Sequence, residues 1–292
     1  MMAASHLGWI ANMAVSIGLS IAILILISLG LSVLFGMMGI INLAHGEFLM
    51  FGAFATLAGV RLQLPLPVAM ILATCVVAAY GWVVERLLIR HLYGRLADSM
   101  LATWGLSLVM SQVAVYLFGS STQGIATPGG SFKVGEFSIS VYSVILIVAA
   151  LGLLGFVYAV FTRTKYGVMA RAAVQRPQMA AAIGIDPQRI NALTFMFGAG
   201  LAGAAGALLA PMVGVMPTMG EAYIARAFMT VVVGGSGVLT GAAAASTLLG
   251  GIENIVSYLS TPFFGQAALL ILAICLVRVM PTGISGRLRR KL

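Results

Sequence analysis

Residues 13–35 contain no charged side chain and run for about the length that crosses a bilayer, since roughly 20 apolar residues span the hydrocarbon. Runs of the same character recur along the chain. Only 8% of the 292 residues are charged and 61% are hydrophobic, where a soluble domain carries about 25% charge. A chain with this little charge is an integral membrane protein. The expected fold is all-α: a polytopic transmembrane helical bundle of about eight or nine spans, forming one transmembrane domain over residues 1–292.

The expected spans cover residues 13–35, 48–60, 68–88, 100–118, 139–161, 190–213, 242–258 and 264–280. A ninth and weaker segment, 222–237, is a candidate for a re-entrant element, because irregular backbone is allowed where protein or water covers it. The second span is short unless it borrows part of the polar motif before it. The net charge of +9 lies in the loops and the tail. Basic loops at 86–95, 163–189 and 287–291 belong on the cytoplasmic side. Counting spans then puts the C-terminus in the cytoplasm and the N-terminus outside. Residues 1–11 lack a basic start, so the first apolar run reads as a retained span. Cys75 and Cys275 sit in apolar segments and imply no disulfide framework.

The longest polar interruption is TKYGVMARAAVQRPQMAAAIGIDPQR, residues 164–189. Its basic residues include Arg171 and Arg176, set against the lone acid Asp186. Helical punctuation runs through it. A first helix suits 166–175. Pro177 pushes Arg176 out of the helical region and suits the first turn of a second helix. Gly184 suits that helix's end. Asp186 and Pro187 form an N-cap and first-position pair, so a third helix starts there. A solvated positive-inside loop accounts for the charge, but the punctuation points to a structured docking element.

GMMGIINLAHGEF, residues 36–48, is the one polar constellation beside a span. Asn42, His45 and Glu47 stand among Gly36, Gly39 and Gly46. Two readings stand: a glycine-broken hinge beside a translocation path, or a cytoplasmic turn capped by Asn42 and Glu47. Gly198, Gly200, Gly203 and Gly206 suit close helix packing. Gly234, Gly235 and Gly237 in GGSGVLTG suit packing or a bend. Glu253 and Asn254 lie in an apolar segment, where an interhelical bond or a cavity-facing role is expected. Thr103 and Trp104 sit just inside the fourth span. Glu221 and Arg226 read as an external-surface pair.

The sequence contains no G-x-x-x-x-G-K-[ST] loop, because GGSGVLTG lacks the lysine, and no nucleophile elbow. His6, His45 and His91 do not have metal-ligand spacing. An enzyme is not expected, nor is nucleic-acid binding, because the basic excess follows the loops.

LFGMMGIINLAHGEFLMFGA, RAAVQRPQMAAAIGIDPQRINALTFMFGAGLAGAAGALLAP and VVVGGSGVLTGAAAAS together resemble the branched-chain amino acid ABC importer permeases. The resemblance runs in order over nearly the whole chain. It implies a subunit of a bacterial inner-membrane importer that translocates branched-chain or other hydrophobic amino acids. The implied partners are a second related permease, expected as a heterodimer, two ATPase subunits that use ATP-Mg, and a periplasmic solute-binding protein. No cofactor is implied in this chain. The resemblance makes residues 171–185 the coupling segment, with Ala180, Ala181 and Gly184 at close-contact positions. Met179 stands where many importers carry Glu. The same family includes urea and short-amide permeases, which remain an alternative substrate class. A proton- or sodium-coupled carrier is an alternative mechanism, with Glu47 and Glu253 as its only plausible coupling groups.

Overall fold

The longest helix, α1 (Met2–Met38), and the helix α8 (Pro187–Val213) form the axis of the bundle. The computed structural model describes residues 2–135, 137–235 and 237–289. The end of the basic tail, expected in the cytoplasm, lies outside the described residues from Arg290 onward. Among the described residues six helices are long and apolar enough to cross a membrane. Burial divides them. In the most apolar windows, 67% of α1 and 78% of α8 are buried, against 17–28% for the other four. Those four are α3 (Leu66–Leu87), α4 (Leu96–Phe118), α5 (Val141–Arg163) and α11 (Pro262–Val279). Their exposed side chains, such as Ile71, Leu101, Val148 and Ile271, are hydrocarbon, as a lipid-facing or subunit-facing surface requires.

Three further helices complete the bundle. They are α2 (His45–Arg61), α9 (Met219–Gly234) and α10 (Thr240–Leu259). Each is shorter or less apolar than the six, so the nine expected segments all form helices but only six qualify as spans by length and composition. The second span does borrow from the polar motif, because α2 begins at His45.

Small residues set the close packing of the axis. Gly198 of α8 lies against Leu34 and the Gly30 carbonyl of α1, and a side chain at Gly206 would run into the Leu49 carbonyl of α2. In lipid, where apolar side chains gain nothing by leaving their surroundings, such backbone approach is the main source of helix association. Buried hydroxyls are satisfied locally. Ser28 Oγ donates to the Leu24 carbonyl at 2.5 Å and Thr56 Oγ1 to the Gly52 carbonyl at 2.8 Å. Asn254 Nδ2 ties α10 to α1 through Ser16 Oγ at 2.9 Å and Ser20 Oγ at 3.0 Å, the interhelical bond expected of that segment.

The expectation of a purely helical chain needs one correction. The polar connector before α5 forms a short antiparallel hairpin, β1 (Ser131–Val134) with β2 (Phe137–Ser140), Ser131 opposite Ser140 and Val134 opposite Phe137. Alternating Ser, Phe and Ile with a Gly135 turn of positive φ supports it.

Candidate functional site

The basic interruption folds as its punctuation requires. Thr164 Oγ1 caps α6 (Lys165–Gln175) by accepting from Gly167 N at 3.2 Å. Pro177 opens α7 (Pro177–Ala182). Gly184, at φ +87°, closes it with paired bonds from Gly184 N to the Ala181 carbonyl and from Ile185 N to the Ala180 carbonyl, both 3.0 Å. Asp186 Oδ1 then caps α8 from Gln188 N at 2.9 Å, and its other oxygen meets Arg189 Nε at 3.1 Å. Arg171, Arg176, Ala181, Gly184 and Asp186 are exposed. Ala180 is buried and packs inward, so it is not part of the outward face; Met179 and Ile183 are. The Arg171 guanidinium donates to the Phe161 carbonyl, which fixes α6 to the end of α5. Beside the start of α8, Arg86 and Arg90 line a polar cleft with Asp186 and Arg189, so two of the basic loops share one end of the bundle.

The glycine turn belongs to that end as well. Gly234 lies against Gly241, and Gly235, at φ +77°, lies against the Thr282 carbonyl. Gly237 N donates to Ser285 Oγ of α12 (Gly283–Arg289) at 2.9 Å. Val238 and Leu239 pack on the hydrophobic cluster that holds Ala170, Ala173 and Ile190. The turn that ends α9 therefore rests on the basic element.

The Asn42–His45–Glu47 motif lies deeper. After Met38 the chain reverses at Gly39, φ +63°, and doubles back into the bundle. Asn42 Oδ1 accepts from Ala44 N at 3.1 Å, and Leu43 N donates to Thr103 Oγ1 at 3.1 Å. His45 Nε2 donates to the Ile27 carbonyl at 3.0 Å, which leaves Nδ1 as the acceptor nitrogen. Ile27 lies eleven residues before the end of α1, about 16 Å into the bundle at the helical rise of about 1.5 Å per residue. Glu47 Oε1 accepts from Ser107 Oγ at 3.3 Å, and Ser107 is the midpoint of α4, eleven residues from each end. The reading of this motif as a turn at the cytoplasmic surface is thus corrected. The glycines let the loop fold inward, and α2 starts in the middle of the bundle.

A second helix starts at the same depth. The backbone of Gly220, second residue of α9, packs on Gly46 and on the Glu47 carboxylate. Among the described residues neither α2 nor α9 has a side-chain cap, and His45 N, Glu47 N and Met219 N donate instead to the Asn42, Ala44 and Met216 carbonyls. Glu47 is 2% exposed, and among the described residues its Oε2 has no hydrogen-bond partner, nor do the buried Asn42 Nδ2 and His45 Nδ1. Glu221, the next residue of α9, is exposed.

Glu253 makes an interhelical bond, one of the two roles expected of it, and it is Arg226 that is placed differently. Arg226 Nη2 lies 2.9 Å from Glu253 Oε1, with 23% and 11% of the two side chains exposed, so Arg226 pairs across to α10 and not with Glu221. Sequence reading missed Ser107 and Gly220, which carry no local signal: one is a serine in an apolar helix, the other a glycine after a loop. Among the described residues no group of His, Cys, Asp and Glu has the geometry of a metal site.

Helices that begin inside a bundle, at buried polar side chains, recur at the midplane of membrane transport proteins. The chain belongs to the family of branched-chain amino acid transport system permease components, whose pattern matches residues 13–280. It is 33% identical over 284 residues to the high-affinity branched-chain amino acid transport system permease protein LivH of Salmonella typhimurium, covering 90% of this chain and 91% of the relative. LivH of Escherichia coli (strain K12) matches equally, at 33% over 284 residues, with 90% and 91% covered. The corresponding permease BraD of Pseudomonas aeruginosa is 31% identical over 280 residues, again covering 90% and 91%. No solved structure matches the chain. The family expected from the three sequence motifs is borne out.

Proposed function

We propose that this chain is one membrane subunit of an ATP-binding cassette importer that carries branched-chain amino acids across the bacterial inner membrane. Its engine is a pair of separate ATPase subunits using ATP-Mg, and it works with a second, related permease and a solute-binding protein. The observation that carries the reading is the coupling element. α6, α7 and the start of α8 are stiffened by a Thr cap, a glycine-closed turn and an Asp cap, and they present Arg176, Met179 and Ile183 outward.

The path of motion follows from packing. A push on α6–α7 reaches Val238 and Leu239 through the cluster containing Ala170 and Ala173. Those residues end the turn that follows α9, and α9 begins against Glu47. Force applied at one end of the bundle is thereby delivered to its middle through one short helix, a contiguous network of the kind coupling requires. In this reading the coupling element is cytoplasmic and the N-terminus periplasmic. α2, α9 and α10 join the six long helices in the membrane, with α2 and α9 starting partway across it. The relatives named for branched-chain amino acid transport support that substrate class over urea or short amides.

Co-expression with candidate ATPase subunits and purification through a tag on this chain tests the reading. An importer subunit brings the ATPases with it, and vesicles holding the complex and its binding protein take up leucine only with ATP inside the ATPase compartment. Uptake driven by a proton or sodium gradient without ATPase subunits would refute it.

A further inference from the structure

At the basic end of the bundle a polar cleft of about 240 Å³ opens between the end of α3, the residues just after it and the start of α8. Its charges do not cancel in place. Asp186 and Arg189 pair with each other at 3.1 Å. Among the described residues Arg86 and Arg90, which also line the cleft, have no ion-pair partner. Glu85 borders the same cleft and is 1% exposed. One of its oxygens accepts from Tyr93 Oη, and among the described residues Oε2 has no hydrogen-bond partner. Two uncommitted guanidinium groups thus stand beside one carboxylate that is short of a bond.

The level of the cleft in the membrane follows from α3. Leu72, Val76, Val83 and Leu87 are exposed along that helix, a hydrocarbon face suited to lipid. Trp82, near its end, is 43% exposed, and tryptophan there marks the level of the headgroups. The Arg86 guanidinium stands 5.4 Å from the centre of the Trp82 ring. One side chain therefore joins the lipid-facing surface to the cleft.

We infer that this cleft binds the headgroup of a phosphatidylethanolamine lipid. Basic pockets between membrane helices hold lipid headgroups through their phosphates, and the forked donors of Arg86 and Arg90 match phosphate oxygens. The acid narrows the choice. A primary ammonium group answers the charge of Glu85 and supplies the donor it lacks. Phosphatidylglycerol carries no positive charge to set against that carboxylate, and the trimethylated ammonium of phosphatidylcholine has no N–H to give it. The acyl chains then run along Trp82, Val83 and Leu87, which face outward beside the cleft. Bound in this way, the lipid ties the end of α3 to the Asp186 corner of α8. The assignment holds whatever solute the protein carries.

The test is native mass spectrometry of the assembled transporter, purified in detergent with an equal mixture of phosphatidylethanolamine, phosphatidylglycerol and phosphatidylcholine. The wild type should retain phosphatidylethanolamine about tenfold over either competitor, the yield of one charge-assisted bond. The double variant Arg86→Ala/Arg90→Ala should lower that retention about tenfold. Glu85→Gln should keep lipid but bring the ratio of phosphatidylethanolamine to phosphatidylglycerol within about twofold, because the carboxylate charge is what sorts them. Arg278→Ala removes an exposed arginine at the end of α11, outside the cleft, and should match the wild type. Equal retention of the three lipids by the wild type overturns the site, and so does wild-type selectivity in the arginine double variant. Displacement of the lipid by millimolar O-phosphoethanolamine would make the ligand a soluble headgroup and overturn the lipid. If the double variant loses the ATPase subunits while its bound lipids stay unchanged, the cleft is a protein-docking face and the site is wrong. Each of these failures leaves the importer reading standing.

Discussion

The Glu47 carboxylate rests on the backbone of Gly220, so close that a methyl group added there would meet Oε2 at 2.5 Å. Two helices that start inside the bundle are thereby held in register by one acid and one glycine. Replacing Gly220 with Val should displace the acid or the start of α9. The expected result is loss of most leucine uptake from vesicles, with normal yield and a single symmetric gel-filtration peak, since both helices keep their other packing. Unchanged uptake would separate Gly220 from the transport path.

Arg226 and Glu253 form a half-buried pair between α9 and α10. Removing one partner strands the other charge, which costs about 3–5 kcal/mol in buried pairs. Arg226→Met and Glu253→Leu should each lower the thermal unfolding midpoint in detergent. The double variant should recover most of the loss, because neither charge is then orphaned. Equal midpoints for single and double variants would mean the pair is not coupled.

Gly184 closes α7 at φ +87°. A side chain in that left-handed region costs about 1–2 kcal/mol, and more for a branched one. Gly184→Val should loosen the α7–α8 corner. We expect lower ATP hydrolysis stimulated by binding protein and lower uptake, with the permease still folded by circular dichroism. Wild-type rates would remove the corner from the coupling element.

Asp186 caps α8 with both oxygens engaged. Asp186→Ala should cost about 1 kcal/mol of local stability. Hydrogen exchange at the amides of Gln188 and Arg189 should speed up about fivefold, with exchange in the middle of α8 unchanged.

The corner itself was readable because its signals are local. Pro177, Gly184 and the Asp186–Pro187 pair each constrain their own backbone, and the structure starts and stops helices at those residues. The spans were readable for the same reason, as unbroken hydrocarbon. The depth of Asn42–Glu47 was not. It depends on Ile27, Ser107 and Gly220, which lie 18, 60 and over 170 positions away along the chain from their partners, and on a Gly39 reversal whose direction only tertiary packing sets. The Arg226–Glu253 pair was obscured likewise. Glu221 is nearer in sequence to Arg226, but five residues apart on α9 the two point about 140° away from each other, while α10 brings Glu253 alongside.

The inward start of α2 carries a cost during biosynthesis. α1 is apolar enough to enter lipid as soon as it is made, but α2 buries Glu47 against residues of α4 and α9 and packs Gly52 on α8. At bacterial translation speeds of about 5–20 residues per second, α8 emerges roughly 7–30 seconds after α2. Throughout that interval a short helix with a buried acid has α1 and α3 beside it but lacks the two helices, α8 and α9, that close over it. The insertion machinery must shelter it until the ribosome has delivered the helix that will enclose it.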